Sequence, residues 1–223
     1  MLDLQEYLHT TFPGLVLKPS LYLQWKTGIH FELGLGIYQF EEGDKLNMHR
    51  FENAYKQTLA IFNDLFSEED ELVLVTNVYY RKNANGRTKP FKVYKNAVKN
   101  KKLALQLKLN TLPYVFDEEE ETADYYTAQY QLKCKKHDLR YHQLIQAACN
   151  EDFSLKPKFR REKGMDYPDT FFINLTKNAI FFIYDDRGCE VIAADKETLR
   201  PLYENYSEWL YEYNREDMKQ LFA

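Results

Sequence analysis

Apolar and polar residues follow two different periodicities along this chain, and each predicts a different element. Between Asn47 and Phe66 the apolar side chains recur every three or four positions, which is typical of a helix that buries one face. From Gly28 to Gly34 apolar and polar residues alternate, which predicts a strand with one buried face. The run from Leu72 to Val75 is apolar throughout and indicates an interior strand.

The C-terminal third has the clearest succession of elements. Three short apolar runs are predicted to be strands: 171–175, 180–184 and 190–194. The connections between them are short enough to force antiparallel pairing. Two amphipathic helices follow. Asp195 or Thr198 caps the first helix. Thr198 is favoured, because it places Pro201 in the first turn, where a missing N–H is harmless. Trp209 is predicted to lie in the core against the hairpins.

The remaining patterns complete the fold prediction. They indicate helices over 2–12, 91–98 and 138–149 and strands over 103–109 and 126–134. Strands joined by hairpins, with helices between groups, predict an α+β fold. We expect a mainly antiparallel sheet with helices packed on it and C-terminal β-hairpins followed by two helices. The chain is either one domain, 1–223, or two tightly joined halves: an N-terminal α/β half, 1–116, and a C-terminal half, 117–223, that carries the Tyr184–Gly188 hairpin.

Composition narrows the classes of protein to consider. The chain has 223 residues and a net charge of −4, which disfavours nucleic acid and anionic membranes as partners. Its apolar runs are too short to span a bilayer. Residues 1–7 lack the basic charge of a secretory signal. The 3 cysteines are odd in number and scattered, which is typical of a reducing compartment. We therefore expect a cytoplasmic protein.

Two groups of residues are candidates for catalysis. Asp185, Asp186 and Arg187 place two carboxylates beside a guanidinium, an arrangement suited to a metal or a phosphate. The alternative is turn chemistry, in which Asp accepts hydrogen bonds from turn N–H groups and Gly188 supplies a positive φ. His30 and Glu32 share one face of the first strand, where they form either a general-base pair or a solvated strand face.

Two further groups are candidates for binding. Cys134, His137, His142 and Cys149 have ligand types that suit zinc, but both thiols also fall on inward faces, so no metal or other cofactor is predicted. Residues 81–116 contain ten basic side chains and no acidic one. Within 81–102, nucleic acid could contact a set of basic and aromatic side chains: Lys92, Tyr94, Lys95 and Lys99. The alternative is a solvated face that the acids of 117–121 neutralise.

The C-terminal quarter resembles a bacterial family called domain of unknown function 3885. The resemblance is carried by the Tyr-Asp-Asp-Arg-Gly turn at 184–188, followed by Cys189, Glu190 and Val191. The family more usually has Asp where this chain has Glu190. The strand at 28–34 and the segment 149–153 are also similar to the family. The resemblance implies a cytosolic protein of spore-forming Gram-positive bacteria, and it implies no activity.

These observations assign no activity, and they favour a non-catalytic protein that binds another protein. The chain has no nucleophile elbow and no phosphate-binding loop, whereas its tyrosine-rich, charge-segregated surface suits recognition of a protein. An immunity-like role is an analogy only. One alternative is an enzyme that acts on a phosphorylated or nucleic-acid substrate through His30, Glu32 and Asp186. A second alternative is nucleic-acid binding through residues 81–102.

Overall fold

The computed structural model describes residues 3–82, 93–116, 124–159 and 167–223. Within them the chain forms a seven-stranded antiparallel sheet with helices packed on it, which confirms the α+β prediction. The strands are β1 (Gly28–Glu32), β2 (Glu71–Arg81), β3 (Lys108–Pro113), β4 (Tyr125–Lys135), β5 (Asp169–Asn174), β6 (Ala179–Asp185) and β7 (Gly188–Ala193). The helices are α1 (Leu4–Thr11), α2 (Leu21–Gln24), α3 (Met48–Leu65), α4 (Val93–Ala97), α5 (Lys101–Ala104), α6 (Tyr141–Cys149), α7 (Lys196–Asn205) and α8 (Arg215–Phe222).

The strand order across the sheet is β1-β7-β6-β5-β2-β4-β3. The predicted C-terminal hairpins are present, because β5, β6 and β7 are successive neighbours and are followed by α7 and α8. They lie between β1 and β2, so strands from both ends of the sequence share one sheet. Within the described ranges, no helix is long and apolar enough to cross a membrane.

Both faces of the sheet are covered over most of its strands but not at β3, and this changes the interpretation of β1. The larger core lies beneath α3, α6 and α7 and includes Phe31, Phe62 and Phe181. The smaller core lies on the opposite face beneath α1 and the segment 12–25. The prediction of one solvated face on β1 is therefore wrong for His30, whose exposed fraction is 7%. A sheet covered on both faces also explains the unbroken apolar runs of β5 and β6.

The predicted strand over 103–109 is wrong for 103–107, five of its seven residues. Residues Lys101–Ala104 form α5, and the strand begins only at Lys108. The side chain of Asn100 caps α5 by accepting a hydrogen bond of 2.9 Å from the backbone N–H of Lys102. Leu103 and Leu107 both pack on the core, whereas Leu105 is exposed. When leucines occupy every second position, some of them are also four residues apart, which is the spacing of one helical face.

The helix after β7 begins earlier and ends earlier than its pattern predicts. Its cap is Asp195, whose carboxylate accepts a hydrogen bond of 3.1 Å from the N–H of Glu197, and not Thr198. The helix ends at Asn205, so Trp209 lies in a separate short turn. The Trp209 ring is half-buried and stacks on Tyr206 at 4.6 Å between centroids. Trp209 packs against the larger core from its edge, so the prediction that it lies within the core is confirmed only in part.

Candidate functional site

The turn at 184–188 joins β6 to β7 through the two residues Asp186 and Arg187. Tyr184 is an extra residue in β6, because the pairing register shifts between Ile183 and Asp185. The backbone of Gly188 does not have a positive φ, so the prediction that this glycine serves the turn conformation is wrong. A Cβ on Gly188 would instead overlap the Tyr184 hydroxyl and approach the Phe31 carbonyl oxygen to 2.6 Å.

Asp186 lies on the inner side of this turn and is bound by Arg50 of α3. Its side-chain oxygen accepts a hydrogen bond of 3.0 Å from Arg50 Nε, and its carbonyl accepts another of 3.0 Å from the same guanidinium. Both side chains are buried. Burial raises the pKa of Asp186, and the hydrogen bond and charge of Arg50 oppose that increase. The pair is a charge-assisted contact shielded from water.

Arg50 also extends this contact to the chain that follows β1. The third guanidinium nitrogen donates to the carbonyl of Gly34 and, at 3.4 Å, to the carbonyl of Ile37. Gly34 has a φ of +59°, and a Cβ at that position would collide with the Arg50 side chain. The N–H of Gly34 donates a hydrogen bond of 2.7 Å to the Gln57 side chain on α3. The start of the 34–47 loop is therefore held on α3 and on the turn.

The 34–47 loop presents apolar side chains to solvent. Leu35 and Phe40 are about half exposed at 53% and 51%, and Tyr38 is 83% exposed. Backbone hydrogen bonds of 2.8 Å from Glu41 to Lys45 and from Asn47 to Gln39 close the loop on itself. Its tip is acidic and exposed, with residues Glu41, Glu42 and Asp44. The loop is thus an internally bonded projection that combines apolar and acidic groups.

Asp185 is also buried, and it binds Arg187. Its carboxylate accepts hydrogen bonds from the Arg187 backbone N–H at 2.7 Å and from Arg187 Nε at 2.8 Å. These bonds raise the pKa of Arg187, whose side chain is 61% exposed. Asp152 lies 4.0 Å from the same guanidinium. The two adjacent carboxylates of the turn are therefore bound by different arginines.

His30 lies on the smaller-core face of β1, between two tyrosine rings. The ring centroids of Tyr22 and Tyr211 are 4.6 Å and 4.5 Å away, and His30 Nε2 is 2.9 Å from the Tyr184 hydroxyl oxygen. Burial lowers the pKa of His30 to about 4. Glu32, in contrast, is half-buried and pairs in register with Gly188. In the structure His30 contacts Tyr184, whereas Asp186 contacts Arg50. Catalysis through His30, Glu32 and Asp186 stays a prediction.

Glu190 is a buried residue of this region whose role the sequence pattern does not indicate. It lies directly opposite His30 in the β1–β7 pairing, and its carboxylate accepts a hydrogen bond of 2.6 Å from the N–H of Leu21. Burial raises its pKa to about 7, against the hydrogen bonds from the backbone of Leu21, Tyr22 and Ser20. Glu190 thus anchors the segment that contains α2. The only sequence signal was its place after the 184–188 turn.

The four zinc candidates are spread over three elements: β4, the turn at 136–138 and α6. Cys134 on β4 and Cys149 at the end of α6 are buried, and burial raises the pKa of each thiol to about 12. His137 is exposed, 4.0 Å from a Glu68 oxygen, and His142 stacks on the ring of Tyr141. Among the residues that the structure describes, no group of three His, Cys, Asp or Glu side chains is placed to hold a metal ion.

The basic candidates occupy different environments. Tyr94 is buried and its hydroxyl donates to Thr76, so its ring is not available at the surface for stacking on a base. Lys99 is exposed and its ammonium donates a hydrogen bond of 2.8 Å to the carbonyl of His137. Lys92 and the side chain of Lys95 lie outside the described residues, as does the acidic run 117–121.

Comparison with known proteins places this architecture in a family. A family model described as "Domain of unknown function (DUF3885)" matches residues 4–214. The chain is 48% identical over 212 residues to the uncharacterized protein YnaE of Bacillus subtilis (strain 168), an alignment that covers 95% of this chain and 99% of that protein. No solved structure shows significant similarity. The chain belongs to the domain of unknown function 3885 family.

Proposed function

We propose that this chain is a single-domain, non-catalytic cytoplasmic protein that binds another protein through the 34–47 loop. One observation carries the proposal: Leu35, Tyr38 and Phe40 are exposed on a loop whose base is bound to buried groups. Scattered exposed apolar residues are ordinary, but three within six residues of one loop form a local patch. Aromatic side chains are enriched at the centres of protein interfaces.

The way in which the loop is held supports the same proposal. A loop that must become ordered on binding loses affinity through conformational entropy. Here Arg50 and Gln57 of α3 bind the backbone of Gly34, and Phe40 packs on the Phe153 ring at 5.9 Å between centroids. The apolar groups are therefore presented from a loop with internal bonds. In this proposal the 184–188 turn, which is the family's most distinctive segment, supports recognition through Arg50.

Affinity capture with matched variants tests the proposal. Tyr38 and Tyr213 are almost equally exposed, at 83% and 84%, but only Tyr38 lies in the loop. The immobilised chain and its Tyr38→Ser and Tyr213→Ser variants are each incubated with lysate of the native cell. We expect a protein whose capture falls at least about tenfold with Tyr38→Ser. Capture should be unchanged with Tyr213→Ser.

The outcome that contradicts the proposal is equally specific. If every captured protein is retained equally by the wild type, Tyr38→Ser and Tyr213→Ser, the 34–47 loop is not the binding element. Thermal unfolding of both variants excludes a loss of folding, because replacing either exposed tyrosine should change the free energy of unfolding by less than about 0.5 kcal/mol.

A further inference from the structure

A cavity of about 430 Å³ combines aromatic walls with carboxylates. Its aromatic residues are Tyr79, Phe116 and Tyr167, and its acidic residues are Glu151, Asp152 and Asp169. The cavity is located where β5 begins and where the chain leaves α6. Its size is in the range of pockets that take a small ligand or an anchoring side chain.

The charges in this cavity favour a cation. Burial raises the pKa of Glu151 to about 8, and the charges of Asp169, Asp152 and Asp185 add to the increase. Lys158 opposes it without reversing it. A positive group that enters the cavity would offset this repulsion, and the interaction would be stronger than in bulk water because Glu151 is partly desolvated.

The aromatic wall already accepts a positive charge from the chain itself. The Lys158 ammonium lies 5.6 Å from the centre of the Tyr167 ring, while it donates hydrogen bonds of 2.8 Å and 2.7 Å to the carbonyls of Glu151 and Phe153. A cation over an aromatic face is attracted by the negative charge of the ring face. The walls and the carboxylates therefore favour the same class of ligand.

The cavity and the 34–47 loop belong to one continuous surface. Asp152 lines the cavity, and the next residue, Phe153, packs between the Phe40 ring of the loop and the Phe51 ring of α3. The acidic tip of the loop adds further negative charge at its outer end. A partner that covers the apolar loop would thus meet carboxylates on both sides of it.

We infer that the protein partner inserts a lysine or arginine side chain into this cavity while an apolar part of its surface covers Leu35, Tyr38 and Phe40. This inference rests on the proposed function and specifies the partner as a protein with a basic binding surface. The carboxylates would bind the charged end of the inserted side chain, and the aromatic walls would pack on its hydrocarbon stem. Complementary charge would also speed association at low salt.

A pair of small probes tests the cavity without the partner. The cation n-butylguanidinium imitates an arginine side chain, and n-butylurea has a similar shape without the charge. Titration followed by NMR should show saturable binding of n-butylguanidinium at resonances of Tyr79 and Tyr167, with affinity at least about tenfold above that of n-butylurea. Glu151→Gln with Asp152→Asn should remove most of that difference. Glu204→Gln, which changes an exposed acid of α7, should not alter it.

The same variants separate this inference from the proposed function. Glu151→Gln with Asp152→Asn should weaken capture of the Tyr38-dependent partner at least about tenfold, whereas Tyr38→Ser should leave n-butylguanidinium binding unchanged. If the two probes bind equally, the cavity is not a cation site and the inference is overturned, while Tyr38-dependent capture still supports the proposed function. If the cation binds but the cavity variants capture the partner as well as the wild type does, the cavity takes a free organic cation. That result overturns the assignment of the partner.

Discussion

Two buried carboxylates four residues apart in sequence, Asp186 and Glu190, are stabilised in different ways. Asp186 faces α3 and is bound by the Arg50 guanidinium, whereas Glu190 lies on the opposite face and accepts backbone N–H groups near α2. Among the described residues, no lysine or arginine forms an ion pair with Glu190. An ion pair fixes two distant segments to each other, whereas Glu190 has no arginine beside it in the described part of the chain, and burial raises its pKa to about 7 against its backbone donors. The comparison predicts a mechanical role for Asp186 and a pH-dependent one for Glu190.

The largest expected effect is the loss of the Arg50 guanidinium. Arg50→Met keeps most of the volume but leaves Asp186 buried without its partner, which should lower the free energy of unfolding by about 3–5 kcal/mol at pH 7. Denaturant unfolding measures the loss. In the double variant Arg50→Met with Asp186→Leu, the loss should be smaller than the sum of the single losses. Strict additivity would show that the two side chains do not stabilise each other.

The pH dependence of stability should report the protonation of Glu190. The pKa of Glu190 in the folded state, about 7, lies above its ordinary value of 4.5. Its contribution to stability is therefore fully present below pH 4.5 and is lost as the pH rises through 7. Between those limits the difference in unfolding free energy between the wild type and Glu190→Gln should change by on the order of 3 kcal/mol.

His30, Tyr22 and Tyr184 surround Glu190, and His30 provides the control for this titration. Burial lowers the pKa of His30 from 6.5 to about 4, so its contribution is present above pH 6.5 and is lost as the pH falls through 4. The difference in unfolding free energy between the wild type and His30→Gln should therefore change between pH 4 and 6.5 with a slope opposite in sign to that for Glu190→Gln. A flat difference curve for Glu190→Gln would contradict the assignment of its raised pKa.

Gly188 should show a smaller effect, and one that depends on Tyr184. A methyl group at Gly188 would overlap the Tyr184 hydroxyl, so Gly188→Ala should cost about 1–3 kcal/mol of unfolding free energy through overpacking. In a Tyr184→Phe background the cost of Gly188→Ala should fall, because the nearest obstructing atom is then absent. An unchanged cost would place the strain in the backbone and not in this contact.

The smallest effect is expected for the outer arginine of the turn. The Arg187 side chain is 61% exposed, so water screens its charge, and after its removal the buried Asp185 keeps the hydrogen bond of 2.7 Å from the backbone N–H of residue 187. Arg187→Ala should lower the free energy of unfolding by less than about 1 kcal/mol when measured by thermal unfolding. A loss comparable to that of Arg50→Met would show that Arg187 and Arg50 stabilise the turn equally.

Local pattern was sufficient for most elements and for the class of fold. The helical periodicity from Asn47 to Phe66 and the short connections of the C-terminal strands are local features, and the structure contains α3 and the two hairpins that they predict. Where one stretch was compatible with both a helical and a strand periodicity, the pattern predicted the wrong element. The leucines of 103–109 alternate like a strand, yet Leu103 and Leu107 pack on the core from a helical turn and its exit.

The sequence by itself determined most of the elements, the antiparallel pairing of the last three strands and the membership of the family. Only the tertiary structure decided which polar residues are buried and with which partners. Arg50 and Asp186 are 136 residues apart, and Leu21 and Glu190 are 169 apart, so no local spacing could indicate either contact. The second covered face of the sheet decided the environment of His30 in the same way. Burial depends on what packs above a strand, and that is a property of the whole chain.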